Sequence, residues 1–182
     1  PERSEFESAF TKHKDLSRTA SAGTFKGGLA DHSDIVVRYH TATHLMHKAL
    51  REVLGAHVIQ KGSNINAERT RFDFSHPTKM TAEEIAKVNE LVNGWIQRDL
   101  PMTQEMMPKE QALELGALGA FGEKYGDMVS VYTIEDSATG EIVSREFCGG
   151  PHVTHTGSIG TFKIIKEEAI SSGVRRIKAV IS

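Results

Sequence analysis

Four residues in two distant pairs constrain this chain more than any other feature. His40 and His44 sit one helical turn apart in Tyr39-His-Thr-Ala-Thr-His-Leu-Met-His47. Cys148, the only cysteine, precedes His152 by four positions in Cys-Gly-Gly-Pro-His. Three imidazoles and one thiolate make a complete tetrahedral donor set for zinc. The pairs lie far apart in sequence, so only a folded domain brings them together.

Each half has a bland reading beside the metal one. Histidines at i and i+4 leave one helix face a turn apart and converge, yet exposed pairs also arise by chance. Cys148 alone reads equally as a small buried apolar residue. The segment between Cys148 and His152 is more telling, because Gly149, Gly150 and Pro151 cannot continue a stable helix, so the two residues hang on a bent loop, and glycines let a backbone wrap closely around an ion. His47 shares the face of His40 and His44, and His155 follows His152 by three. Spacing alone excludes neither as a ligand, and both are read as polar rim residues. A zinc peptidase needs His-Glu-x-x-His with a glutamate base. Here Thr41 follows His40, and no carboxylate lies between the two histidines.

The 182 residues suffice for one domain with a real core. Lys plus Arg number 22 against 24 Asp plus Glu, so any RNA contact must come from local patches or a partner domain. One cysteine allows no intramolecular disulfide, and a cytoplasmic setting is expected. No apolar run is long enough for a bilayer. The chain begins with Pro1, as a piece of a longer protein would.

The pattern predicts a helix near Ser4 to Leu16, then a small, polar linker from Ser17 to Asp34. A long helix runs from Asp34 to Leu54, stopped by Gly55, with Ala42, Leu45, Met46, Ala49 and Val53 on one side and the histidines almost opposite. That helix is either covered on both sides or borders a cleft. Strands follow at His57 to Ile65 and Thr70 to Ser75, joined by Asn66-Ala-Glu-Arg69. Thr81-Ala-Glu-Glu84 is a capping box for a second helix with Ile85, Val88, Val92, Trp95 and Ile96 on its apolar face. Shorter strands fall at Pro101–Met107, Met128–Ile134 and Glu141–Arg145, with a small helix at Pro108–Leu115. A last hairpin joins Gly160–Glu168 to Val174–Ile181. The expected class is α+β, a two-layer sandwich of helices packed on an antiparallel β-sheet, with the zinc site between helix and loop.

His-Thr-Ala-Thr-His-Leu-Met-His, Gln60-Lys-Gly-Ser63, Arg71-Phe-Asp-Phe-Ser-His76, Cys-Gly-Gly-Pro-His152, Thr156-Gly-Ser-Ile-Gly160 and Ser172-Gly-Val-Arg-Arg-Ile177 resemble, in this order, the editing domain of alanyl-tRNA synthetases. That domain also occurs in free-standing trans-editing proteins, and the resemblance covers roughly residues 25 to 182. The threonyl-tRNA synthetase editing domain shares the fold and metal pattern. Pro151 is closer to its form, whereas Gly-Val-Arg-Arg-Ile and Phe-Asp-Phe-Ser-His favour the alanyl family. Alanyl enzymes usually carry a barrel with a Gly-Gly-Gly-Gln loop before this domain, and no such loop precedes His40. Residues 1–31 therefore resemble the end of the preceding synthetase region, and 32–182 the editing domain.

The resemblance implies hydrolysis of the ester in mischarged tRNA, seryl-tRNA(Ala) and also glycyl-tRNA(Ala). Its rivals are threonyl-type editing of seryl-tRNA(Thr) and a non-catalytic zinc module that grips tRNA. It implies Zn2+ on His40, His44, Cys148 and His152, with the ion either closed off as a scaffold or carrying one exchangeable ligand. Gln60 and Thr43 are the candidates for a polar wall that recognises the seryl hydroxyl. Arg175, Arg176, Lys178, Lys163 and Lys166 are candidate contacts to phosphates of the tRNA(Ala) acceptor end, or else a solvated strand face. The implied partner besides tRNA is the ATP-binding aminoacylation module of the same synthetase, with neither DNA nor membrane involved.

Overall fold

A computed structural model describes residues 28–119 and 126–182. The helix expected at Ser4 to Leu16, and most of the linker after it, lie outside the described residues. The class is α+β, as expected: three helices and seven strands among the described residues, all strand pairs antiparallel.

Helix α1 spans Asp34–Leu54, with the expected limits. It stops where Gly55 takes a φ of 119° and donates its N–H to the Arg51 carbonyl, a conformation that L side chains resist. Strands β1 (Gln60–Ile65) and β2 (Thr70–Ser75) form a hairpin. Its turn closes because Asn66 Oδ1 accepts the N–H groups of Glu68 and Arg69, each at 3.0 Å. β1 begins at Gln60 rather than His57 because the Ser75 hydroxyl takes the Ile59 N–H in place of a ladder carbonyl. Helix α2 (Ala82–Gln97) opens on a complete Thr81–Glu84 capping box and buries Val88, Val92, Trp95 and Ile96. β3 (Met102–Pro108), the short α3 (Lys109–Glu114), β4 (Met128–Asp136) and β5 (Glu141–Phe147) follow. A 3-10 turn at Thr156–Ile159 leads into β6 (Phe162–Ser171) and β7 (Val174–Ile181).

The strands build two sheets, where a single sheet was expected: β1-β2-β7-β6 and β3-β4-β5. The edges of the larger sheet explain the division. Along β1, Gly28 and Ala30 exchange backbone hydrogen bonds with Ile65, and Leu29, within the segment read as linker, is buried there. Along β6, the side chains of Asn93 and Asn89, one turn apart on α2, bond the backbone of Phe162 and Ile164. With both edges occupied, β3–β5 pair among themselves. They enclose a small core of Met107, Ala112, Ala117, Val129, Val131 and Phe147.

The main core lies between the larger sheet and the helices, with Phe72, Phe74 and Ile177 against Leu45, Met46 and Leu50. α1 also meets β5 of the smaller sheet. Of the two alternatives for the histidine side of α1, the structure shows cover on both sides: His40, Thr41, Thr43, His44 and His47 are all buried. Among the described residues no helix is long and apolar enough to cross a membrane.

Candidate metal centre

Cys148 lies one residue past β5, and its N–H bonds the Ser130 carbonyl on β4 at 3.0 Å. The chain then turns through Gly149, Gly150 and Pro151 and returns over α1. Gly150 must be glycine, since a Cβ there would lie 2.6 Å from Cε1 of His40. Beyond the loop, Thr156 secures the returning chain. Its hydroxyl donates to the Trp95 carbonyl and accepts the Leu100 N–H, both at 2.8 Å.

This path brings His40, His44, Cys148 and His152 together, with one ligand atom of each within 4.8 Å of all the others. Cys148 Sγ is 3.4 Å from Nε2 of His40 and 3.4 Å from Nε2 of His152. Tetrahedral zinc with ordinary Zn–S and Zn–N bonds sets a sulfur–nitrogen edge of about 3.5 Å, so these spacings fit the ion. One thiol and three imidazoles are all ligand types that zinc accepts, and they fill four tetrahedral positions. The rings of His40 and His152 stack with centroids 4.0 Å apart, and Tyr132 of β4 covers His152 at 4.3 Å.

The far nitrogens of the rings show how their faces are set. His40 Nδ1–H donates to the Pro151 carbonyl at 2.9 Å, leaving the Nε2 lone pair toward the thiol. His152 Nδ1 lies 3.0 Å from the Thr41 hydroxyl, which also accepts the Val153 N–H at 3.2 Å. Each half of the site is thus oriented by backbone or side chain of the other half. Burial first, and then the charge of His44, push His40 down to about 3. Burial likewise lowers His44, and it drives His152 well below the ordinary imidazole value. All three rings are neutral at pH 7, the form a metal ligand requires.

Glu146, two residues before Cys148 on β5, was not singled out in the sequence. It is 7% exposed. Its carboxylate approaches His44 Nε2 at 3.8 Å and His47 Nδ1 at 3.6 Å, and it accepts a hydrogen bond from Ser144 at 3.3 Å. Burial alone would raise its pKa, but His44, His47 and Ser144 outweigh burial and hold it below the ordinary glutamate value. Strand alternation was the available signal, since it puts Ser144, Glu146 and Cys148 on one face. Thr41 was noted only as the residue that is not a catalytic glutamate.

Thr43 faces the larger sheet, donating to the Tyr39 carbonyl at 2.8 Å and sharing a hydrogen bond with Thr70 at 2.7 Å. Gln60 opens β1 opposite Phe74 and is half-buried. Among the described residues no hydrogen bond joins it to the four. On β7, Arg176 grips Asp73 with two bonds of 2.7 and 2.8 Å, and Arg175 grips Glu167 at 2.5 and 2.9 Å. Lys166 and Lys178 share Glu168. Among the described residues Lys163 has no carboxylate at ion-pair distance.

Residues 129–178 match the family described as the threonyl and alanyl tRNA synthetase second additional domain. The chain is 60% identical over 179 residues to an alanine–tRNA ligase of Treponema denticola, covering 98% of this chain and 29% of that protein. It is 53% identical over 180 residues to the Treponema pallidum enzyme of the same name, covering 99% of this chain and 29% of that one. Against an alanine–tRNA ligase of Thermus thermophilus it is 54% identical over 143 residues, which is 79% of this chain and 16% of the relative. The chain thus spans less than a third of the length of the curated relatives it matches.

Proposed function

For a chain that carries the second additional domain of threonyl and alanyl tRNA synthetases, and that corresponds to the editing domain of the alanyl enzymes, we propose hydrolysis of the ester in mischarged tRNA. The substrate is seryl-tRNA(Ala), with glycyl-tRNA(Ala) as a second. The observation that carries this reading is the meeting of four ligand atoms within 4.8 Å, from residues the sequence keeps in separate halves.

An alanine-activating pocket rejects serine poorly, because an added hydroxyl changes binding little in a small pocket. A second site inverts the problem by building polar groups that serine satisfies and alanine leaves unpaired. Gln60 supplies such a group. Thr43 donates to Tyr39 and meets Thr70. With Thr70 donating to it, one lone pair remains to accept from the seryl hydroxyl.

His40, His44, Cys148 and His152 would hold zinc. When bound, the ion supplies Lewis acidity toward an ester carbonyl and ties helix to loop. The chain's own part is to keep the three imidazoles neutral and oriented, through Pro151 and Thr41, and to exclude bulk water by burying α1.

Lys163, Lys166, Arg175, Arg176 and Lys178 contact phosphates near the tRNA(Ala) acceptor end. All but Lys163 must exchange an acidic partner to do so. The chain works in the cytoplasm beside the ATP-binding aminoacylation module of the same synthetase.

The test compares release of the amino acid from seryl-tRNA(Ala), seryl-tRNA(Thr) and alanyl-tRNA(Ala). Release from the first alone is expected. Equal release from alanyl-tRNA(Ala), or none from any, overturns the editing reading. Preference for seryl-tRNA(Thr) replaces it with the threonyl type. A folded Cys148→Ala variant that keeps full activity removes the metal from the chemistry.

A further inference from the structure

A buried carboxylate needs an opposite charge nearby to offset its lost hydration. Glu146 is such a group. Among the described residues no lysine or arginine reaches it, and its neighbours are Ser144 and the imidazoles of His44 and His47. Both ring nitrogens of His47 are buried and have no hydrogen-bond partner. On the metal reading above, a zinc ion with one thiolate and three neutral imidazoles has a net charge of +1. The carboxylate brings the buried centre to zero.

Placement reinforces the charge argument. Glu146 on β5 and Cys148, one residue past its end and still bonded to Ser130 of β4, lie two residues apart on one side of the chain, so ordering one helps to order the other. The carboxylate bridges one turn of α1, one oxygen toward His44 and the other toward His47. It joins the helix half of the site to the strand that carries the thiol.

We propose that Glu146 is a positioning and charge-balancing residue of the metal centre, holding His44 and His47 against β5, and that His47 is a lateral support rather than a spare ligand. The proposal rests on the metal reading of the site.

The test uses the whole chain and zinc alone. Zinc affinity is measured by competition with a chelator, and the visible spectrum of the cobalt-substituted protein reports the geometry around the ion. Glu146→Gln preserves shape and removes charge. It is expected to weaken zinc 10- to 100-fold, the usual effect of losing an outer partner of a ligand, and to shift the cobalt bands. Glu146→Asp restores the charge and is expected to recover part of the affinity. Glu167→Gln, which removes a buried carboxylate paired to Arg175, serves as the control and should leave zinc affinity unchanged. Wild-type affinity and spectrum in Glu146→Gln overturn the proposal, as does an equal loss in Glu167→Gln. A wild-type chain that takes up neither ion overturns the metal reading itself, and this inference with it.

Discussion

The Thr41 hydroxyl lies 3.0 Å from Nδ1 of His152, across 111 positions of sequence. The same oxygen accepts the Val153 N–H at 3.2 Å and faces the Val37 carbonyl at 3.4 Å. Its one proton and two lone pairs are therefore all used, and the hydroxyl latches the returning loop to α1. The imidazole it holds is one of the four groups that meet in the candidate metal centre.

Replacing that latch tests it. Thr41→Val keeps the branched shape but leaves the His152 Nδ1–H and Val153 N–H without an acceptor. A loss of about 2 kcal/mol in urea unfolding is expected, together with zinc affinity weakened roughly tenfold. Thr41→Ser should recover both. A valine variant as stable as wild type removes the latch from the account.

Gly150→Ala should damage the centre without touching a ligand. The new Cβ would lie 2.6 Å from His40 Cε1 and 3.1 Å from a methyl of Leu29, so the His40 ring must move off Pro151. Zinc titration should show weakened uptake, whereas Gly149→Ala, with no atom within 4 Å of its added Cβ, should bind nearly as wild type. Equal affinities in the two variants would contradict this packing.

Acid should destabilise the metal-free chain in a defined direction. Buried His40 is pushed down to about 3, and His44 and His152 are lowered as well, while the unfolded chain titrates near about 6.5. His76 adds in the same sense, lowered by burial and then by His57. Below that value the unfolded chain binds more protons, so protonation favours unfolding. Stability is fully present above about pH 6.5 and falls as pH drops toward 3, by up to about 1.4 kcal/mol per pH unit for a fully buried ring. Urea midpoints of the metal-free protein between pH 8 and pH 4 measure the slope; a flat profile would contradict neutral, buried imidazoles.

Fold stability and metal binding should separate at α2. Thr81→Ala removes the acceptor of the Glu84 N–H in the capping box. A loss of about 1 kcal/mol in urea unfolding is expected. Zinc affinity measured in the same preparation should stay at the wild-type value, because the cap touches neither half of the site.

Much of the local structure was legible because its causes are local. Gly55 ends α1, the Thr81–Glu84 pair opens α2, and Thr70–Ser75 alternates Phe72 and Phe74 against Arg71 and Asp73, all within a few residues of chain. The division into two sheets was not legible, because it depends on Asn89, Asn93 and residues 28–30 reaching strand edges remote in sequence. The partner of Thr43 shows the same limit. Helical geometry points its side chain off the axis of the two histidines, but the hydroxyl that it meets belongs to Thr70, 27 positions away.

By itself the sequence determined the donor set: it holds one thiol and enough imidazoles, with a helix and a glycine-rich loop to carry them. Ligand type and local spacing are covalent facts. Only the tertiary structure decided that the halves meet within 4.8 Å, that the polar side of α1 is buried, and that Glu146 and Thr41 stand behind the rings. Desolvation and the pairing of buried polar groups arise between segments, and no periodicity within one segment encodes its partner in another.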